Sequence, residues 1–219
     1  MANSIANVLL DRLNSLFPDA HKEKLIAQAY DGASAMRGEP ARVQQKVRKH
    51  FQNAHYVHCY AHQLNLIMQQ ATSTIPAMNL FFFSGLSGIA SFFVRSPKRT
   101  SILDEVVARR LPRASTTRWN FNSRTVNTVH EHLEDLVQCF ETINSSGSFD
   151  GNTMREACGF LRTLQDEDFQ LFLQLFSQIM PHVDILYKKL QKKDIDAVFI
   201  KRALQIFMSS VEAIRQSPR

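Results

Sequence analysis

The chain has 219 residues, 44% of them apolar and 21% charged, with a net charge of +6. That balance supports a sizeable buried core and excludes collagen, low-complexity disorder and a disulfide-stapled miniprotein. Sixteen Phe against seven Gly and seven Pro favour long helices over a many-turned β-sandwich.

Ile5, Val8, Leu9, Leu13 and Leu16 recur at helical spacing, which predicts an amphipathic helix over 4–17 that stops near Pro18. Leu25 to Tyr30 is a short apolar run ending in Asp-Gly and reads as a strand entering a turn. Helical spacing returns after Pro40 in ARVQQKVRKHF, Ala54 to Tyr60 reads as a second strand, and HQLNLIMQQATS as another helix. Alternating helices and strands with short connections predict parallel α/β packing. From Pro76 onward no strand is expected. Helices are predicted at 77–94, 98–109, 120–143, 152–163, 167–191 and 194–215, with Ser145 to Asn152 as the linker candidate. The expected class is therefore α/β plus mostly helical, divided as 1–75 and 76–219.

Two compositional anomalies adjoin. Residues 50–94 contain no Asp, Glu, Lys or Arg. The run from Leu80 to Val94 falls short of the roughly 20 residues that a spanning helix needs, and Ser84, Gly85, Ser87 and Gly88 interrupt it. A buried helix is expected there, and no membrane. Next, Arg95 to Arg124 holds Arg95, Lys98, Arg99, Arg109, Arg110, Arg113, Arg118 and Arg124 against Asp104 and Glu105, so this stretch carries the whole charge excess. Such a field fits a polyanion, and it equally fits a solvated basic face.

Cys59, Cys139 and Cys158 are odd in number and widely spaced. The opening MANSIANVLLDRLN has no basic segment leading into an apolar run, so no signal peptide is expected. Both features point to a reducing compartment, nucleus or cytoplasm.

Three local constellations could carry chemistry. Asp31 closes the first strand, where α/β proteins bind ligands, although Asp-Gly alone also reads as a turn with Asp capping the next helix. His55, His58, Cys59 and His62 crowd into eight residues. Cys59 and His62 have metal-ligand spacing, but no second pair completes a tetrahedral zinc site. Trp119, beside Arg118, suits stacking on a base between phosphate-binding arginines, and suits equally a core position at a helix start. No Walker A loop, GxGxxG, HExxH or G-x-S-x-G occurs.

Three motifs stand in order: QAYDGASAM (28–36), HCYAHQLNL (58–66) and TRWN (117–120). Together they resemble the hAT-superfamily transposases, in particular domesticated or decayed relatives of the zinc-finger MYM-type and general-transcription-factor-like kind. FFFSGLSGIASFFVRSPKR and PHVDILYKKLQKKDID fit the same group. The resemblance implies an RNase H-like core interrupted by a helical insertion. It also implies DDE chemistry, in which two Asp and one Glu hold two divalent ions, Mg or Mn, for in-line phosphoryl displacement. Asp31 matches the second Asp, and Cys59 and His62 match the family's C/D-x-x-H motif. Arg118 and Trp119 match the Arg-Trp motif implicated in handling a flipped base.

The departures are as informative. By the same resemblance, the chain is expected to open after the strand that carries the family's first Asp and to close before the helix that carries the Glu. One carboxylate does not hold two metals, so no cofactor is expected for this chain alone. The expectation is a truncated, catalytically incomplete transposase-like protein that binds DNA weakly through Arg95, Lys98, Arg99, Arg109, Arg110 and Arg113. A protein-interaction module is the other reading. With a bare sheet edge and a Leu80–Val94 helix lacking part of its burial partner, self-association is expected as well.

Overall fold

A computed structural model of the chain describes residues 2–31, 43–107, 111, 119–192 and 194–216. The chain forms two compact units, Met1–Leu64 and Asn65–Arg219. The first holds a small parallel sheet with helices. The second, among its described residues, is all helical.

In the first unit, helix α1 (Ala2–Leu16) ends before Pro18, whose backbone is extended and which has no amide hydrogen to continue the ladder. A 3-10 turn at Asp19–Lys24, tied by a 2.6 Å Lys22–Asp19 ion pair, leads into strand β1 (Ala27–Tyr30). Helix α2 (Val43–His50), strand β2 (His55–His58) and helix α3 (Tyr60–Ser73) follow. The strands pair in parallel, with Ala27 beside His55 and Tyr30 beside His58. Both are shorter than their apolar runs. Leu25 closes the 3-10 turn, and the Ala54 amide closes the end of α2 on the Phe51 carbonyl, so neither joins the ladder.

One face of this sheet is covered. Ala6, Val43, Val47, Phe51 and Ala54 form its core, with Ile5, Leu9, Leu13, Phe17 and Tyr30 packed against them. Val43 and Val47 sit one turn apart on α2, and Phe51 meets Phe17 edge-on at 6.3 Å. Burying a side chain such as Phe51 contributes about 2–3 kcal/mol. Gln28 is the polar member of this face. Its amide nitrogen donates to the carbonyls of Gln44 (3.2 Å) and Ala54 (2.8 Å), and its oxygen accepts from the Tyr30 hydroxyl (3.0 Å). It thereby fastens α2 to the strands without leaving a buried polar group unpaired. Ala27, Ala29, His55 and Val57 occupy the opposite face and are exposed.

The second unit begins within α3 and continues through α4 (Pro76–Asn79), a π-helical segment (Leu80–Leu86) and α5 (Ser87–Val94), one unbroken helical run. Its buried positions come in pairs: Phe81 and Phe82, Gly85 and Leu86, Ile89 and Ala90, then Phe92 and Phe93. The spacing is four out of the π segment, where the wider i→i+5 turns keep the pairs facing inward, and it closes to three in the α-helical part. The run is long and apolar enough to cross a membrane, yet it supplies the centre of this unit's core. The expected loss of a burial partner is not found at its rings. Phe81, Phe82, Phe92 and Phe93 are each 3% exposed or less, because the helices Leu133–Ser145, Gly151–Gln165 and Glu167–Leu190 of the same unit cover them, while Leu80 and Val94 stay exposed. Gly85 and Gly88 permit this approach. A Cβ on Gly85 would lie 2.6 Å from the Phe169 ring, and one on Gly88 2.8 Å from Phe160.

Next come α6 (Pro97–Val106), α7 (Trp119–Glu131), α8 (Leu133–Ser145), α9 (Gly151–Gln165), α10 (Glu167–Leu190) and α11 (Ala197–Gln216). The single helix expected over 120–143 is two helices, broken at His132, whose φ of −121° and ψ of 34° leave the helical region. The break is tertiary in origin. α7 packs on α10 and the π segment, whereas α8 packs on α6 and α9. Within the linker candidate Ser145 to Asn152, residues 146–150 form the loop between α8 and α9, with Gly147 at φ +59° and Asp150 capping α9. The Asp150 carboxylate accepts from the amides of Asn152 (2.9 Å) and Thr153 (3.0 Å) and from the Thr153 hydroxyl (2.7 Å).

Candidate functional site

The carboxyl ends of β1 and β2 coincide. The Cys59 amide donates to the Tyr30 carbonyl at 3.1 Å, so the residues that leave both strands, Asp31 and Cys59, emerge at one end of the sheet. Asp31 is exposed and already engaged in an interaction of its own. Cys59 immediately precedes α3, and its carbonyl accepts from the Gln63 amide at 2.9 Å. His62, in the first turn of α3, is half-buried.

An aromatic file runs along the covered face toward this end. Tyr30 stacks with Tyr56 (6.1 Å between centroids), Tyr56 with His58 (6.4 Å), and His58 tilts against His62 (5.5 Å). Strand alternation puts His58 with Tyr56 on this face and His55 with Val57 on the other. The four residues of the His/Cys cluster are thus split between opposite sides. Among the described residues no three of His, Cys, Asp and Glu come together as a metal would need. The described donors therefore do not fit a two-metal centre. Burial raises the pKa of Tyr30 above its ordinary value. The Cys139 thiol, buried and facing the Asp135 carboxylate, is pushed up to about 11; it is a core thiol bonded to the Ile102 carbonyl at 3.9 Å.

The basic stretch is used differently from its sequence appearance. Arg99 donates to the Phe92 carbonyl (3.0 Å), lies over the Phe92 ring (4.3 Å) and faces Glu156 (3.7 Å); its side chain is 15% exposed. Lys98 donates to the Ser148 carbonyl (2.6 Å) and covers the Phe149 ring (4.5 Å). These two tie α6 to α5 and to the loop before α9. Arg95, 3.8 Å from Glu156, is 68% exposed, and Arg124 is also exposed. Glu156, far away in sequence, supplies a counter-charge that no local pattern announces. Arg109, Arg110, Arg113 and Arg118 lie outside the described residues. Trp119 opens α7, and its side chain lies outside the described ones.

A groove of about 690 Å³ runs between the π segment and α9 and α10, lined by Leu80, Phe81, Phe160, Phe169 and Phe172, with Asp166 and Asp168 at its rim. Gly159, inside α9, has open space where its Cβ would stand. A glycine in a helix interior without a close neighbour is the mark that could have pointed there.

No known family model matches the chain, and no solved structure matches it.

Proposed function

We propose that this chain carries part of an hAT-type transposase, namely the middle of an RNase H-like core followed by a helical insertion domain, and that it contacts DNA without cutting it. The parallel register of β1 and β2 is the observation that supports this reading. It sets Asp31 and the Cys59–His62 pair at the same end of the sheet, the end at which α/β folds act on ligands. The helical unit that follows fits an insertion, and the basic stretch lies within it. Residues 1–219 offer one matched carboxylate, which cannot clamp two metal ions by itself. Contact with phosphates then rests on Arg95, Arg109, Arg110, Arg113 and Arg124, because Lys98 and Arg99 are committed to holding α6 in place.

The test has two arms. A nicking and strand-transfer assay with Mg²⁺ or Mn²⁺ should give background activity; cleavage that disappears in Asp31→Ala would overturn the inactive assignment. In the binding arm, affinity should fall with salt by a log–log slope of about −0.9 per neutralised phosphate. Replacing Arg109, Arg110 and Arg113 by Gln should flatten that slope. If DNA binding is undetectable at low salt, the second reading, a protein-interaction module, takes its place. That reading draws on the structural employment of Lys98 and Arg99 and on the apolar groove beside the π segment.

A further inference from the structure

We propose that the groove beside the π segment is a binding site for a small aromatic molecule that carries one positive charge. The groove is independent of the transposase reading, and all of its walls lie within residues 77–172 of the second unit. Two helix stripes form its sides. One holds positions 77, 80, 81, 84 and 85, the other 156, 159, 160 and 163, each a single helix face about two turns long. The corner at Asp166, where α9 gives way to α10, bounds one end. The volume of about 690 Å³ falls within the roughly 300–1,000 Å³ of small-ligand sites, which are likewise lined by aromatic side chains with a few polar groups.

The lining selects an aromatic body. Phe81 is buried at the base, with the Phe169 and Phe172 rings 5.0 and 5.8 Å from its own. Phe160 and Phe172 are half-buried and so keep ring surface open to a further ring. Gly159 leaves the α9 backbone bare on its wall. No atom lies within 4 Å of where its Cβ would stand, so, unlike Gly85, no neighbour in the chain requires a glycine there. Glycine weakens a helix interior, and one use of that weakness is to let a ligand approach the backbone closely. The π turns of the facing wall are a second irregularity of the kind that gathers at functional sites.

The rim supplies the charge preference. Glu156, Asp166 and Asp168 stand on it against Arg162. Glu156 already faces Arg95 and Arg99, at 3.8 and 3.7 Å. Asp166 accepts from the Phe169 amide at 2.9 Å, and among the described residues neither it nor Asp168 has an ion pair. The acidic surplus therefore sits at the α10 end of the groove, beside aromatic rings whose faces also attract a cation. The chain as a whole carries +6, so binding steered by its net charge favours anions, and a cation preference belongs to the groove alone.

The test uses the full chain and two probes of like shape and opposite charge: 2-naphthylmethylamine, a cation at neutral pH, and 2-naphthylacetate, an anion. Calorimetric titration at low salt should show the amine binding at one site, about tenfold or more tighter than the acetate, with the gap narrowing as salt rises. Gly159→Leu extends into open space, fills the groove and favours the helix. It should abolish amine binding while the circular dichroism spectrum is kept and the melting temperature is kept or raised. Asp168→Asn should weaken the amine several-fold and not weaken the acetate. No amine binding, or amine binding that survives Gly159→Leu, overturns the proposal. So does acetate binding as tight as the amine's, which would mark the groove as a plain apolar face of the kind that a protein segment covers. If Gly159→Leu does not fold, Asp168→Asn decides, and an unchanged amine affinity in that variant overturns the proposal.

Discussion

Phe51 is the large aromatic buried completely in the first unit, whereas the second packs Phe82, Phe92, Phe93 and Phe140 with almost no exposure. The first unit lays α1 and α2 over one face of two strands and leaves the other face open. The second surrounds a central apolar helix with others on several sides. Parallel strands are ordinarily covered on both faces, so the α/β unit is the incompletely buried one, and the helical unit closes its own core. The lesson is that an uncharged, Phe-rich segment such as Leu80–Val94 needs partners around it, not a sheet beneath it.

The largest effect expected is in the ring cluster. Phe140 meets Phe92 at 5.4 Å, Phe93 at 5.2 Å and Phe160 at 5.8 Å. Phe140→Ala should cost about 3–5 kcal/mol in denaturant unfolding of the helical unit. A loss under about 1 kcal/mol would mean that the cluster is loosely packed and the contrast between the units is overstated. Hydrogen exchange sharpens the same contrast: the amides of Gln28 and Tyr30 should exchange faster than those of α8. Equal protection would show that the small sheet is as well closed as the helices.

Smaller changes probe each unit by its own device. Gln28→Ala strips the Ala54 and Gln44 carbonyls of a donor and should cost about 1–3 kcal/mol. Equal stability of this variant would relocate the hold on α2 to Val43 and Val47 alone. Two glycines of the helical unit should respond with opposite signs. Gly85→Ala drives a methyl into Phe169 and should destabilise by about 1–3 kcal/mol. Gly159→Ala faces open space and should stabilise by up to about 1 kcal/mol through helix propensity. Thermal melts of the pair read both signs at once.

Much of this architecture was legible because its signals are local. The spacing of Ile5, Leu9 and Leu13, the stop at Pro18 and the two short strands are written within a few residues of where they act. What was not legible depends on distant partners. Residues 126, 129, 133, 136, 140 and 143 keep one helical stripe across His132, so the period hides a break that arises because α7 and α8 serve different neighbours. The basic stretch reads as a phosphate-binding field or as a solvated basic face, and neither reading gives its members a structural part. Glu156 and the Phe92 carbonyl, far along the chain or across a helix pair, decide that Arg99 is structural. At the candidate site, the shared end of Asp31 and Cys59 followed from strand order. The separation of His55 from His58 followed from strand alternation. The stacked file from Tyr30 to His62 required the register between the strands, which neither strand states alone.

The smallest expected effect separates the units by the origin of two depressed carboxylates. In the first unit, the hydrogen bond and positive charge of Lys22 hold Asp19 below its ordinary value of 3.8. In the second, the Thr153 hydroxyl and amide hold Asp150 below the same value, aided by the Asn152 amide. The sign is the same for both. A carboxylate whose folded pKa lies below its unfolded one adds stability that is present in full above about pH 4 and is lost as pH falls through the folded value. The cause differs. A surface ion pair is screened by salt, whereas hydrogen bonds from neutral donors are not. Raising the salt concentration to about 1 M should therefore weaken the acid-dependent contribution of Asp19 and leave that of Asp150 in place. The measurement is the melting temperature of Asp19→Asn and Asp150→Asn against the parent chain, from pH 6 down to about pH 2, at low and high salt. Each gap should narrow as the pH falls, because protonation makes the parent resemble the amide variant. With salt, the Asp19 gap at pH 6 should shrink and the Asp150 gap should persist. An Asp150 gap that salt also removes would mean that its carboxylate answers to the surrounding positive field, and the cap would then be electrostatic in character.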